Sequence, residues 1–123
     1  MYIFNPDEKG ALAYVHPVKR EKLRKLLDAD IPEYVDRIYL FGSSLDLSCR
    51  TESDIDLYFI TKRDYNSVIG ELHTLCQNMR TGFDLLVNSY EDFLDESKRI
   101  NSVESEIARE GLLIYEKEKD ITI

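Results

Sequence analysis

The sequence predicts an α/β layered domain with a sheet of about four strands. Two observations carry this expectation. Short runs rich in β-branched and aromatic residues recur at 37–41, 54–60, 83–87 and 112–115, and stretches with apolar residues at helical spacing separate them. The length, 123 residues, suits one core rather than a catalytic domain with a separate substrate domain. A single domain over residues 1–123, with its core at about 19–116, is therefore expected.

Residues 11–15 fit either a strand or a turn of helix. Over 19–29, Leu23, Leu26 and Leu27 fall at i, i+3 and i+4 among basic residues, a short amphipathic helix that Pro32 keeps from extending. The run RIYLF at 37–41 stops at Gly42, as a strand entering a tight turn does. A second strand covers 54–60. Over 66–79, Val68, Ile69, Leu72, Leu75, Cys76 and Met79 share one helical face. Gly82 opens the strand 83–87, and 90–94 adds a short helical turn. Ile100, Val103, Ile107 and Ala108 mark another helix, ended by Gly111 before the strand 112–115. Beyond Glu116 a frayed tail is expected.

With 43% hydrophobic and 33% charged residues, the composition is that of an ordinary globular protein. The formal net charge of −8 disfavours a nucleic-acid binder, which needs Lys and Arg clusters to displace counterions, and leaves a protein or small molecule as the acceptor. Cys49 and Cys76 stand apart, with no CxxC and no histidine at ligand spacing, so reduced thiols are expected rather than a disulfide or structural zinc. No segment approaches the ~20 apolar residues of a membrane span, and the amino terminus lacks a leader pattern, which points to the cytoplasm. His16 and His73 are read as surface or satisfied histidines.

The chemistry concentrates in residues 41–60, FGSSLDLSCRTESDIDLYFI. Asp54 and Asp56, two apart on a strand, share one face, which leaves Ile55, Leu57 and Phe59 for the core. Neighbouring carboxylates repel, and a hard divalent cation, Mg²⁺ or Mn²⁺, relieves them. Asp84 begins the later strand FDLLV and completes a triad if that strand lies alongside. Gly42 lets the backbone approach a phosphate, and the N–H groups that follow it, with the Ser43 hydroxyl, can donate to its oxygens. Ser44 and Arg50 are further candidates for phosphate contact.

The spacing Gly42-Ser43, ten residues, Asp54-Ile55-Asp56 resembles the signature of the DNA polymerase beta-like nucleotidyltransferase superfamily, and the short length resembles its minimal nucleotidyltransferase (MNT) branch. The carboxy-terminal REGLLIYE is similar to the closing helix and strand of many MNT chains. The resemblance implies a single-domain nucleotidyltransferase fold with a mixed sheet, which binds ATP with two Mg²⁺ ions and transfers a nucleoside monophosphate to a hydroxyl, releasing pyrophosphate. It implies that Gly42 and Ser43 hold triphosphate, that Asp54 and Asp56 bind metal, and that Asp84 is the third metal-binding carboxylate, helping to activate the acceptor. It further implies an antitoxin-like protein that AMPylates a partner, a HEPN-type ribonuclease, and it is compatible with a homo-oligomer.

The sequence departs from the family after Gly42-Ser43. Where many members carry arginine and glycine, this chain has Ser44, Leu45, Asp46 and Leu47. Phosphate charge then has to be met elsewhere, by Arg50 first and by Lys62 or Arg63 next. Two other functions are weighed against AMP transfer to a protein. One is a silent binding module that neutralises a partner by contact, and the other is nucleotidyl transfer to a small molecule such as an antibiotic.

Overall fold

The computed structural model describes residues 10–46, 49–50, 53–77 and 82–117. The first element is a 3-10 turn, Ala11–Tyr14, which settles the alternative between strand and helical turn. Helix α1, Pro17–Asp28, begins two residues before the expected start because Pro17 suits the first helical position and His16 caps it. The His16 ring nitrogen Nδ1 accepts from the Val18 N–H at 3.3 Å, so this histidine is a satisfied cap.

Strand β1, Val35–Phe41, leads into a 3-10 turn, Gly42–Leu45, and strand β2 follows at Ile55–Thr61. Helix α2, Tyr65–Gln77, buries Val68, Leu72 and Cys76 at its i, i+4 and i+8 positions. Met79, expected on the same face, lies outside the described residues. Strand β3, Phe83–Asn88, helix α3, Tyr90–Ser97, helix α4, Val103–Glu110, and strand β4, Leu112–Glu116, complete the order. The end of the chain expected to fray lies outside the described residues except for Lys117.

The sheet is mixed, in the order β3-β2-β1-β4. Strand β1 runs antiparallel to both β2 and β4, whereas β2 and β3 are parallel. The parallel pair needs a crossover, and α2 supplies it. The strands' alternation then sorts side chains onto two covered faces. On the first, Ile55, Leu57 and Phe59 of β2 and Ile38 and Leu40 of β1 pack with Leu23 and Leu26 of α1 and with the buried row of α2. Each such fully buried side chain contributes roughly 1.5–3 kcal/mol.

The second face of β2 is covered as well, beyond the expected Ile55, Leu57 and Phe59. Tyr58 and Ile60 are 1% exposed and pack with Phe93 of α3 and Ile107 of α4, with Tyr39, Phe41 and Val103 at the margin. Phe93 stacks on Tyr39, centroids 5.4 Å apart, and meets Tyr58 edge-on at 5.2 Å. The Tyr58 hydroxyl donates to Glu104 Oε2 at 2.8 Å, which ties α4 to the middle of the sheet.

Helices α3 and α4 are separate units, each opened by a serine. Ser89 accepts from the Asp92 N–H and Ser102 accepts from the Ser105 N–H. The stretch 90–94 therefore belongs to a full helix rather than a single turn. Ile100 and Ala108 do not join the buried face as expected. Ile100 is 90% exposed, because Asn101 takes a left-handed φ of 67° and redirects the chain just before the Ser102 cap. Gly111 ends α4 as expected, with extended backbone. Among the described residues no helix is long and apolar enough to cross a membrane.

Candidate active site

The second face is covered over Tyr58 and Ile60 but opens toward the start of β2, where its residues turn from apolar to acidic. Asp56 is half-buried, and Asp54, one residue ahead of the strand, is exposed. Asp56 stands in register with Phe41 on one side and with Asp84 on the other. The parallel pairing of β2 and β3 thus places Asp84 beside Asp56 on one face, as a triad requires.

Two glycines make this crowding possible. Gly42 has a φ of 77°, which L side chains rarely adopt, and a Cβ there would overlap Asp56 Oδ2. A Cβ at Gly82 would overlap Asp54 Oδ1, so the start of β3 closes on the first carboxylate as the Gly42 turn closes on the second. The Gly82 carbonyl also accepts from the Ile55 N–H at 2.9 Å.

The electrostatic consequence falls on Asp56. Its carboxyl is pushed up to about 6, first by burial, then by the Asp84 charge and a hydrogen bond shared with Asp84, and further by Asp54 and Glu106. Among the described residues no three His, Cys, Asp or Glu side chains stand as a formed metal cage. The donor chemistry nonetheless fits a hard divalent cation: carboxylate oxygens held together against their mutual repulsion, with no soft ligand among them.

Beside these carboxylates lies a cleft of about 670 Å³, lined by Phe41, Gly42, Ser43 and Asp46 from the turn and by Glu106 and Arg109 from α4. Ser43 is partly exposed there. Ser44 is not brought to the cleft. It is fully buried behind the turn, where its carbonyl accepts from the His16 N–H at 2.8 Å and its hydroxyl has no hydrogen-bond partner. The turn thus separates this hydroxyl from the cleft that Ser43 lines.

Arg50 is exposed and is not among the residues lining the cleft. Its main chain exchanges hydrogen bonds with Ser53, closing the turn that leads into Asp54. Lys62 and Arg63 lie past the other end of β2, roughly 20 Å from Asp56 at the usual strand rise. There Lys62 pairs with Asp36 at 3.5 Å and Arg63 sits over the Tyr34 ring. Neither can meet phosphate charge at the Gly42 turn, because the antiparallel β1–β2 pairing places Val35 and Phe41 at opposite ends of β2.

Sequence reasoning misses three residues that bear on the site. Glu106 and Arg109 sit one helical turn apart on α4, and their i, i+3 spacing is the available signal. Lys19 belongs to a basic helix, whose pattern predicts an exposed lysine. It is 1% exposed, and its ammonium donates to the Ser53 carbonyl, fixing the turn before Asp54. Cys49 belongs to the same junction: burial pushes its thiol up, while Lys19 and the Ser43 hydroxyl oppose that shift. Replacing Lys19 with methionine keeps the volume and removes the donor. A loss of roughly 1–3 kcal/mol is expected in urea unfolding, the usual cost of a buried partner left unsatisfied.

Three comparisons bear on what this arrangement belongs to. The chain is similar in fold to one from a crystal structure of a toxin-antitoxin with AMP-PNP, with a TM-score of 0.52, 22% identity, and coverage of 81% of this chain and 75% of that one. A protein of Sulfolobus solfataricus with a provisional nucleotidyltransferase assignment aligns over 94% of this chain and 96% of its own, at 15% identity and a TM-score of 0.47. No curated protein matches the sequence. The family profile "Polymerase beta, Nucleotidyltransferase" matches residues 21–120, a span that takes in the Gly42 turn, the β2 carboxylates, Asp84 and α4. The chain belongs to the polymerase beta-type nucleotidyltransferase family.

Proposed function

We propose that this chain is a minimal, cytoplasmic nucleotidyltransferase that transfers AMP from ATP to a hydroxyl on a protein partner. The observation that carries this reading is the register of Asp56 with Asp84 directly beneath the Gly42 turn. Carboxylates pressed together beside a cleft cost stability, and such a cluster is the mark of a functional site.

Asp54, Asp56 and Asp84 would hold Mg²⁺, two ions in the reading favoured by three carboxylates. The metal supplies charge neutralisation of the triphosphate and a lowered pKa for the acceptor hydroxyl. The Gly42 turn and Ser43 bind the triphosphate, and their fixed N–H and O–H groups orient the α-phosphorus. The acceptor oxygen bonds to that phosphorus as the bond to the β-phosphate bridging oxygen breaks. Pyrophosphate leaves, and the hydroxyl proton passes to Asp84, the carboxylate that the MNT resemblance assigns to activating the acceptor.

A protein acceptor is favoured over a small one by the open cleft and by the structural likeness to a chain from a toxin-antitoxin complex. In the MNT resemblance that partner is a HEPN-type ribonuclease. The silent-module alternative draws on one observation, the acidic residues Asp46, Glu106 and Glu110 along the cleft, which oppose a bare triphosphate. ATP labelled at the α-phosphate separates the two. Given the purified chain, Mg²⁺ and a HEPN-type ribonuclease as partner, label on that protein is expected. A stable complex that forms without nucleotide and never acquires label would establish the silent module instead.

A further inference from the structure

We infer that Arg109 is the triphosphate-binding cation of this site, taking the place of the arginine that is missing from the turn after Ser43. The inference rests on the nucleotidyltransferase reading of the cleft and assigns one of its ligands. Of the described residues that line the cleft, Asp46, Glu106 and Glu110 are acidic and Arg109 is the one base. Among these described residues, a triphosphate entering beside Gly42 and Ser43 finds its positive charge at this guanidinium.

Arg109 is available for the task. Its Nε–H donates to the Ser105 carbonyl at 3.4 Å, a long bond within its own helix, and it takes part in no ion pair among the described residues. The planar guanidinium presents its other N–H groups as a fork matched to phosphate oxygens. The candidates suggested by the sequence are placed elsewhere: Arg50 off the cleft, Lys62 and Arg63 at the far end of β2.

Helix α4 also sets which phosphates Arg109 addresses. Gly42, which lines the cleft and stands against Asp56, marks the end of the cleft next to the carboxylates. Arg109 lies three residues beyond Glu106, about 4.5 Å farther along the helix axis. In the inferred arrangement it meets the terminal phosphates, and the reacting phosphorus lies at the carboxylates. The helix is held in this position by the Tyr58–Glu104 hydrogen bond and by Ile107 in the second core.

A last-turn arginine also complements the helix dipole, and that role alone would require no ligand. Calorimetry on the full chain distinguishes the two, with Mg²⁺–ATP and with AMP as probes, for wild type, Arg109→Ala, Arg109→Lys and the remote exposed variant Arg99→Gln. The expected result is a loss of ATP affinity of about 10-fold to 100-fold in Arg109→Ala, the range for a hydrogen bond to a charged group. AMP affinity should hold within about threefold, Arg109→Lys should recover part of the loss, and Arg99→Gln should match wild type. Unchanged ATP binding in Arg109→Ala, or equal losses for ATP and AMP, would overturn the assignment and leave the nucleotidyltransferase reading standing. Wild-type chain that fails to bind Mg²⁺–ATP at millimolar concentration would overturn both.

Discussion

Replacing Asp54 and Asp56 together with asparagine is expected to abolish divalent-dependent nucleotidyl transfer, by at least about 10³-fold, while the domain remains folded. Both side chains stand at the open end of the second face, and neither fills a core: Asp54 is exposed and Asp56 half-buried. Electrostatic stabilisation of developing charge is usually the largest single contribution to such a reaction, and this change removes the groups that organise it.

The single change Asp56→Asn carries an opposite effect on stability without Mg²⁺. Folded Asp56 keeps its proton up to about pH 6, against 3.8 for the unstrained group, so across that window the folded state binds more protons than the unfolded one. Stability therefore falls as pH rises from about 3.8 to about 6, and the deficit is complete above that. Removing the charge should stabilise the metal-free protein at pH 7 by about 1 kcal/mol, discounted for the water that reaches this carboxylate. The difference should vanish toward pH 3.8 and reverse when Mg²⁺ is added. Thermal melts of the two proteins across this range, with and without Mg²⁺, read the effect directly.

The second large effect concerns Gly42. Alanine there has to adopt a left-handed φ and place its Cβ on Asp56 Oδ2. The backbone cost of about 1–2 kcal/mol and the overlap, another 1–3 by analogy with overpacked cores, together give a loss of roughly 2–5 kcal/mol. Nucleotide binding should fall as well, because relief of the overlap displaces either the turn or the carboxylate. Gly70 gives the contrast. It lies inside α2 with nothing within 4 Å of where a Cβ would sit, so Gly70→Ala should stabilise the domain by about 0.5–1 kcal/mol. Urea unfolding of both variants tests this difference in sign.

The layered fold is legible in the sequence because its strands are short β-branched runs and its first-face helices are strongly periodic. The four strands fall within one or two residues of their expected bounds. Ile55, Leu57 and Phe59 pack as read. What sequence periodicity does not show is the second layer. Tyr58 and Ile60 break no alternation rule, since a central strand covered on both faces reads as a continuous apolar run. The extent of α3 and α4 depends on Ser89 and Ser102 as caps and on the left-handed Asn101, local signals that apolar spacing overlooks.

At the candidate site, the juxtaposition of Asp56 and Asp84 is legible once the strand bearing Asp84 is placed beside β2. The cation is not. Arg50, Lys62 and Arg63 are near in sequence, but Arg50 is off the cleft and the extended β2 carries Lys62 and Arg63 to its far end, whereas Arg109, distant in sequence, returns on α4. Lys19 is hidden for a related reason: an amphipathic helix predicts its lysines to be exposed, and the Ser53 carbonyl draws this one inward.

The most direct test of the central claim is calorimetric binding of ATP to the purified chain, with and without Mg²⁺, for wild type and for the Asp54→Asn/Asp56→Asn variant. Mg²⁺-dependent binding by wild type that disappears in the variant is the predicted result. Absence of binding at millimolar ATP, or binding that ignores both Mg²⁺ and the two carboxylates, would contradict the assignment of this cleft as a nucleotidyltransferase site.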